Sequence, residues 1–188
     1  EDGIRDISVW LEFRRVLFRS AYGAMGNAYF RYFDIRMAEG ITTSGQLSIQ
    51  WMANEFNRFV NKILKTEGKD FVIAIDTDSI YLTMEELVEK FAGDKDDEGK
   101  IRYMDKVCED IFQPFIDNTY QKLAEYMNAY SQKMIMKREV LADKGIWIAK
   151  KNYVLNVHNS EGVQYATPKL KVLGLAMVRS STPSVIRE

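Results

Sequence analysis

Apolar residues recur at three- and four-residue steps from Ser44 onward, and this spacing predicts an amphipathic helix. Polar residues such as Asn54 and Lys62 fall mainly on the opposite face, and the segment 66–70 carries a glycine that is expected to end the helix. The apolar stripe consists of Leu47, Trp51, Met52, Phe56, Phe59, Val60 and Ile63.

A second pattern runs from Phe71 to Thr83, where an apolar, β-branched run is interrupted by Asp76 and Asp78 and then resumes. Short runs of this composition are typical of strands. The segment is therefore predicted to be a β-hairpin whose tip, or early return strand, carries two carboxylates two positions apart.

The remaining pattern predicts more helix and then strands. A short helix from Met84 to Phe91 and a polar loop precede a helical stretch from about 101 to 133, kinked near Pro114. The segments 134–140, 146–157 and 163–172 alternate as strands do, with Gly145 and the turn 159–162 between them. The sequence Ser180-Ser181-Thr182-Pro183 predicts the start of another helix. The simplest fold class is α+β, a small antiparallel sheet with helices packed on one face.

Residues 1–20 differ in amino-acid composition from the rest of the chain. They hold four arginines and no lysine, whereas the other 168 residues hold seven arginines and fifteen lysines. The segment has no clean helical or strand period and resembles translated sequencing-adapter tails. We expect residues 1–20 to be a non-native or disordered extension.

Composition narrows the possible classes of protein. The chain has 188 residues, 46% of them hydrophobic, and no apolar run near the ~20 residues that span a bilayer. A single cysteine, Cys108, and a single histidine, His158, exclude disulfides and multi-histidine zinc sites within the sequence. The net charge is −1, yet from Lys144 onward seven basic residues face only two acids. A basic carboxy-terminal third is typical of contact with a phosphate backbone.

Asp76 and Asp78 are the strongest candidates for chemistry. Like charges held so close repel one another unless a cation lies between them, and carboxylate oxygens are ligands that Mg²⁺ prefers. Phosphoryl and nucleotidyl transfer use divalent cations that carboxylates hold in this way. An Asp-Thr-Asp turn alone is weak evidence, because aspartate is common in turns for its capping hydrogen bonds.

Three further groups of residues are candidates, each with a structural alternative. Glycines beside a tyrosine in Tyr22-Gly23-Ala24-Met25-Gly26-Asn27 permit close approach of a ligand or of another helix. Two lysine clusters either contact a nucleic-acid backbone or lie on a solvated strand surface. The first is Lys150 and Lys151 with Tyr153, and the second is Lys169 and Lys171 with Gly174. Glu139 either supports a metal site from outside the ligand set or is a plain surface residue.

Taken together, these segments resemble the palm domain of family B DNA polymerases, most closely the replicative enzymes of large tailed phages. The resemblance rests on the order of separated motifs and covers Ala21 to Glu188. It implies a palm with the end of the fingers motif over 21–179 and the start of a helical thumb over 180–188. The motifs are Tyr22-Gly23-Ala24-Met25-Gly26-Asn27, the block from Phe30 to Gln50, Asp76-Thr77-Asp78-Ser79, Lys150-Lys151-Asn152-Tyr153, Lys169-Leu170-Lys171 to Gly174, and Ser180 to Pro183.

The resemblance also implies roles. Asp78 would ligate two catalytic Mg²⁺ ions while Asp76 adjusts their coordination, and Tyr22 with Gly23 would lie against the nascent base pair. Lys151 and Tyr153 would contact the primer end. Lys169, Lys171 and Gly174 would bind primer backbone further back.

The sequence departs from the family pattern in three places. Ala74-Ile75 replaces Tyr-Gly before the acid pair, and Phe18-Arg19-Ser20 stands where the second motif has a lysine and an Asn-Ser. The first motif, whose aspartate would share the metals with Asp78, is missing. We therefore expect truncation near Ala21 and no activity from this piece alone.

The implied function is DNA-directed DNA polymerisation, with primer–template DNA and a deoxynucleoside triphosphate as partners. A sliding clamp would bind through a carboxy-terminal segment that this sequence lacks, no membrane partner is expected, and the location would be the host cytoplasm. A non-catalytic nucleic-acid-binding module, a metal-dependent nuclease and a purely structural domain remain as alternatives.

Overall fold

The computed structural model of the chain describes residues 10–15 and 23–175. Tyr22 and the predicted helix start at Ser180 lie outside these residues. In chain order the elements are β1 (Trp10–Arg15), α1 (Ile35–Leu64), β2 (Val72–Asp76), β3 (Ser79–Thr83), α2 (Glu85–Ala92), α3 (Asp97–Val107), a π-helical turn (Cys108–Phe112), α4 (Gln113–Tyr126), β4 (Met136–Ala149), β5 (Asn152–Ser160) and β6 (Val163–Leu173).

The described strands form one sheet in the order β2-β3-β1-β4-β5-β6, and every neighbouring pair is antiparallel. β1 joins a two-stranded group, β2-β3, to a three-stranded group, β4-β5-β6. This arrangement confirms the predicted α+β class. That β1 comes from the amino-terminal extension is a finding of the structure, and the foreign origin of residues 1–20 stays a prediction.

The helices pack on one face of the sheet and bury the main core. Ile80, Leu82 and Leu141 point into this core from the strands, where Phe56 and Phe112 meet them from the helices. The rings of Phe56 and Phe112 lie edge to face at 5.5 Å. Removing one such buried ring costs roughly 3–5 kcal/mol, so this face carries most of the stability.

The opposite face of the sheet carries a second, smaller apolar cluster. Its buried members come from three strands and include one aromatic residue from β3 and one from β5. They are Tyr81, Val140, Ala142, Tyr153, Leu155 and Val157.

Helix α1 confirms most of the predicted stripe, since Met52, Phe56 and Val60 are fully buried, but Leu47 is 42% exposed and does not join the core. It begins at Ile35, nine residues before the predicted start, because Asp34 caps it by accepting the Arg36 N–H at 3.0 Å. Gly40 and the threonines that follow break the apolar period, which is why the sequence did not reveal this first part.

The long helical stretch is confirmed in outline but ends at Tyr126, not at Lys133. Asn128 adopts a left-handed conformation (φ 51°) that stops the helix soon after that residue. The predicted irregularity near Pro114 is a π-helical turn immediately before it, with the proline in the first turn of α4. Burial raises the pKa of the Cys108 thiol within this turn.

The predicted strand break at Gly145 is wrong. β4 runs straight through Gly145, and the turn to β5 lies at Lys150 and Lys151. A Cβ at Gly145 would come within 2.8 Å of the Trp147 and Leu155 side chains, so packing, not a turn, requires glycine there.

One buried ion pair links the two layers. Arg138 on β4 points to the helical side, where its guanidinium donates to Asp105 on α3 at 2.5 Å and to Asn159 on β5 at 2.8 Å. Its side chain is only 7% exposed. Among the described residues, no helix is both long and apolar enough to span a membrane.

Replacing Arg138 with methionine should destabilise the chain by roughly 1.5–3 kcal/mol, because charge-assisted hydrogen bonds to Asp105 and Asn159 are lost. Urea unfolding followed by circular dichroism measures the change. The control is Arg102→Met, which removes an exposed pair with Glu98 on α3 and should cost less than about 1 kcal/mol. Equal effects of the two substitutions would contradict the assigned role of Arg138.

Candidate active site

The acidic hairpin is a tight two-residue turn. Asp76 ends β2, Thr77 adopts a left-handed conformation (φ 53°) and Asp78 completes the turn before β3. The Asp78 N–H donates to the Asp76 carbonyl at 2.6 Å, and the Thr77 hydroxyl donates to the Asp76 carboxylate at 3.1 Å. The turn therefore holds both carboxylates on a short backbone segment, as the sequence predicted.

Two lysines form ion pairs with acidic residues at this site. The Nζ atom of Lys151 lies 3.6 Å from Oδ1 of Asp76, and that of Lys171 lies 3.1 Å from Oε1 of Glu139. Lys151 is well exposed, so water screens its pair. Glu139 and Lys171 are more buried, and their pair is held more firmly.

The turn that carries Lys151 is pinned to the end of β6. Lys151 itself is left-handed (φ 63°), as is Gly174 (φ 74°). In the amide orientation that satisfies its neighbours, the Asn152 side chain donates to the Lys151 carbonyl at 3.1 Å and to the Gly174 carbonyl at 3.0 Å. A Cβ at Gly174 would overlap the Lys151 carbonyl and the Asn152 amide, so this position requires glycine.

An aromatic cluster underlies the site. The Tyr81 hydroxyl donates to the Tyr153 hydroxyl at 3.0 Å, although the two residues are 72 positions apart in sequence. Their rings lie 5.4 Å apart, and Trp147 packs edge to face on Tyr81 at 5.7 Å. Tyr81 follows the acidic turn on β3, so this cluster connects the strand of Asp78 to the strand that follows Lys151.

These groups line one open cavity of about 980 Å³. Its other wall is the first half of α1, where the exposed Thr42, Gln46 and Gln50 and the buried Gly45 line the cavity. Sequence reasoning missed this wall, and it also missed Tyr81. The available signal was the run of small residues at 42–45, since a helix face without bulky side chains leaves room for a ligand.

Most of the predicted site residues meet in this cavity. Seven of them line it: Asp76, Asp78, Glu139, Lys151, Tyr153, Lys171 and Gly174. Within the described part of the chain, Lys169 and Gly23 lie outside it. Lys169 instead covers the Tyr165 ring at 4.2 Å on the edge strand β6, and Gly23 is exposed.

The predicted arrangement of the lysines needs one correction. Lys150 and Lys151 fall, together with Tyr153, inside the segment 146–157 that the sequence predicts to be a strand. They form the β4–β5 turn, and Tyr153 is a buried strand residue whose hydroxyl meets Tyr81. The aromatic residue thus supports the site from beneath while Lys151 reaches across its rim.

The oxygen atoms of Asp76 and Asp78 could provide part of the coordination that a hard divalent cation needs. Two carboxylates on one tight turn offer oxygen ligands of the kind that Mg²⁺ prefers. Among residues 10–15 and 23–175, no group of three or more aspartate, glutamate, histidine or cysteine side chains could hold a metal ion. Two carboxylates alone would leave such a cation short of oxygen ligands.

The sequence that builds this site is similar to that of a known class of protein, the DNA-directed DNA polymerases of phages. It is 40% identical over 185 residues to the enzyme of Escherichia phage RB69, a match that takes in 93% of this chain and 20% of that protein. The DNA-directed DNA polymerase of Enterobacteria phage T4 is also 40% identical over 185 residues, covering 93% of this chain and 21% of the relative. These matches confirm the resemblance to phage replicative polymerases.

The chain thus spans about one fifth of the length of the curated relatives it matches. No protein-family profile matches it.

We expect Gly174→Ala to destabilise the chain by more than Gly162→Ala does. Both glycines have positive φ, so each substitution incurs a backbone cost of roughly 1–2 kcal/mol. Only at Gly174 does the new Cβ also meet backbone and side-chain atoms; at Gly162 the space is open.

Thermal unfolding measures both losses, and amide exchange at Lys151 and Asn152 locates them. Faster exchange at these two amides is expected in Gly174→Ala only. Similar losses and similar exchange in both variants would contradict the tight contact between Gly174 and the lysine turn.

Proposed function

We propose that this chain is a palm fragment of a family B DNA-directed DNA polymerase that acts in the cytoplasm of a phage-infected cell. The complete enzyme would join a deoxynucleoside triphosphate to the 3′ hydroxyl of a primer and release pyrophosphate. The observation that carries the proposal is the joint presence of Asp76, Asp78 and Lys151 in one cavity of a chain that is 40% identical to two phage polymerases.

Asp76 and Asp78 would hold the divalent cations in this proposal. When bound, two Mg²⁺ ions would stabilise the charge that develops on the attacking and leaving oxygens during an in-line displacement. Asp78 is almost fully buried at the turn, whereas the Asp76 side chain is 18% exposed. This difference in burial supports unequal roles for the two carboxylates.

The lysines and tyrosines would bind and orient the DNA. Lys151 lies on the rim within reach of Asp76, so it can contact a backbone phosphate near the reacting end. Lys171 is held by Glu139 at a neighbouring position of the cavity wall. Tyr81 and Tyr153 would keep the lysine turn at a fixed distance from the acidic turn.

The 188-residue chain alone should be inactive in this proposal. Two carboxylates on one turn leave the cation coordination incomplete, and the first-motif aspartate expected from the family pattern is missing from the sequence. A sliding clamp as a further partner belongs to the same proposal, through segments that this chain lacks.

The test uses a restored chain, in which the part of the RB69 polymerase that precedes the position aligned with Ala21 is joined to Ala21. Primer extension with Mg²⁺ should fall by at least a thousandfold in the Asp78→Ala variant, because oxyanion and phosphoryl charge stabilisation contributes on that scale. The control is Asp94→Ala, which removes an exposed carboxylate after α2 and should leave extension unchanged. Undiminished extension by Asp78→Ala would refute the assignment.

DNA binding by the 188-residue chain tests the phosphate contact assigned to Lys151, which this proposal shares with a module that binds only through its basic strands. Lys151→Ala should weaken binding of a primer–template duplex and lower the slope of log K against log salt by roughly one. Lys122→Ala, an exposed lysine on α4, is the control and should change neither quantity.

A titration of the restored chain with Mn²⁺ distinguishes the polymerase from the non-catalytic binding module. If the chain belongs to a polymerase site, Mn²⁺ binding to the restored chain depends on Asp76 and Asp78. A restored chain that binds DNA through Lys151 but takes up no Mn²⁺ at these aspartates would favour the non-catalytic module.

A further inference from the structure

The ion pair between Lys151 and Asp76 lies where it can be exchanged for other contacts. The Lys151 side chain is 60% exposed on the rim of the cavity, and the Asp76 side chain is 18% exposed. Ion pairs with so exposed a member are weak, because water screens the charges. The pair therefore keeps the ammonium group near the acidic turn without fixing it there.

The second lysine pair of the cavity is held more firmly. Nζ of Lys171 lies 3.1 Å from Oε1 of Glu139, and the Lys171 side chain is 29% exposed, half the value of Lys151. Less water reaches this second pair, so its charges are screened less. Of these two lysines, Lys151 is the one that can change its partner at low cost.

Only the side chain of Lys151 has to move in such an exchange. Its backbone is held by the Asn152 amide, which donates to the carbonyls of Lys151 and Gly174 in the orientation that satisfies its neighbours. Lysine carries its charge on a flexible four-carbon stem, and the cavity beside it has a volume of about 980 Å³. The ammonium group can therefore turn from Asp76 toward a ligand in the cavity while the β4–β5 turn keeps its shape.

The carboxylate in this pair is one that a divalent cation would need. Oδ1 of Asp76 accepts a hydrogen bond from the Thr77 hydroxyl at 3.1 Å and lies 3.6 Å from Nζ of Lys151. A cation bound to Asp76 and Asp78 would lie close to this ammonium group, and like charges at short range repel. Cation binding and the Lys151–Asp76 ion pair therefore oppose each other.

From these observations we propose that Lys151 is an internal counterion of Asp76, which is displaced when the site binds its ligands. Before a cation binds, the ammonium group neutralises part of the Asp76 charge. A backbone phosphate of DNA offers the ammonium group another partner, and its departure leaves the Asp76 carboxylate to the cation. DNA and the cation thus favour each other's binding through the release of one ion pair. This inference rests on the proposed function, which supplies both ligands.

The first test measures DNA binding by the 188-residue chain in the presence of a chelator, so that no metal takes part. Asp76→Asn removes the charge that competes with phosphate for Lys151, while the amide keeps an oxygen acceptor for the Thr77 hydroxyl. We expect Asp76→Asn to tighten binding of a primer–template duplex about two- to fivefold, the factor that corresponds to an exposed ion pair. This gain should disappear when Asp76→Asn is combined with Lys151→Ala.

A matched control separates the ion pair from the general removal of a negative charge. Lys150 precedes Lys151 in the same turn and lines the same cavity. In the Lys150→Ala background, Asp76→Asn should still tighten DNA binding. Equal gains in the Lys150→Ala and Lys151→Ala backgrounds would overturn the proposal, because the effect of Asp76 on DNA would then not depend on Lys151.

The second test measures Mn²⁺ binding to the restored chain by electron paramagnetic resonance, counting only the ions that are lost in the Asp78→Ala variant. Lys151→Ala should tighten this binding about two- to fivefold, because the cation no longer has to displace the ammonium group. Lys151→Arg keeps the charge and should leave the affinity near that of the unmodified restored chain. Lys150→Ala is again the matched control and should tighten Mn²⁺ binding less than Lys151→Ala does.

The two tests distinguish a failure of this proposal from a failure of the proposed function. If Mn²⁺ binds through Asp76 and Asp78 with an affinity that Lys151→Ala does not change, the polymerase assignment stands and the counterion role is overturned. If the restored chain takes up no Mn²⁺ at these aspartates, the metal assignment fails, and with it the displacement of Lys151 by a cation. The metal-free DNA measurement decides independently whether Asp76 and phosphate compete for Lys151.

Discussion

The two-residue turn at Thr77 and Asp78 is the constraint on which the site depends. It holds two carboxylates two positions apart on one turn, where like charges repel and nearby positive charge is stabilising. Lys151 supplies part of that charge from across the cavity at 3.6 Å. Positive charge that the rest of the sheet delivers to the same place therefore stabilises this turn.

The contacts around Lys151 explain how the sheet places a positive charge beside the acidic turn. Asn152 and Gly174 fix the backbone of the lysine turn against the end of β6, and the Tyr81–Tyr153 hydrogen bond fixes the two strands beneath it. These contacts join β3 to β5 and β6, which lie far from β3 in sequence. The position of one exposed lysine is therefore set by buried and backbone contacts, not by its own ion pair.

Features that depend on local periodicity could be predicted from the sequence, whereas features that depend on packing between distant residues could not. The apolar stripe of α1 and the hairpin with Asp76 and Asp78 were predictable, because each repeats a regular period over several residues. Gly145 was misinterpreted as a turn because a glycine required by the crowding of Trp147 cannot be told from one required by φ. The contact between Tyr81 and Tyr153 spans 72 positions, and no local pattern carries information over that distance.

Adjacent residues on β4 show how the fold separates stability from chemistry. Arg138 points to the helical side and ties the sheet to Asp105, whereas Glu139 points to the cavity and holds Lys171. Because successive strand residues face opposite sides, one strand serves both the main core and the site. Changes on the Arg138 side act on the free energy of unfolding, and changes on the Glu139 side act on the charge distribution of the cavity. The two kinds of effect can therefore be measured independently in neighbouring positions of one strand.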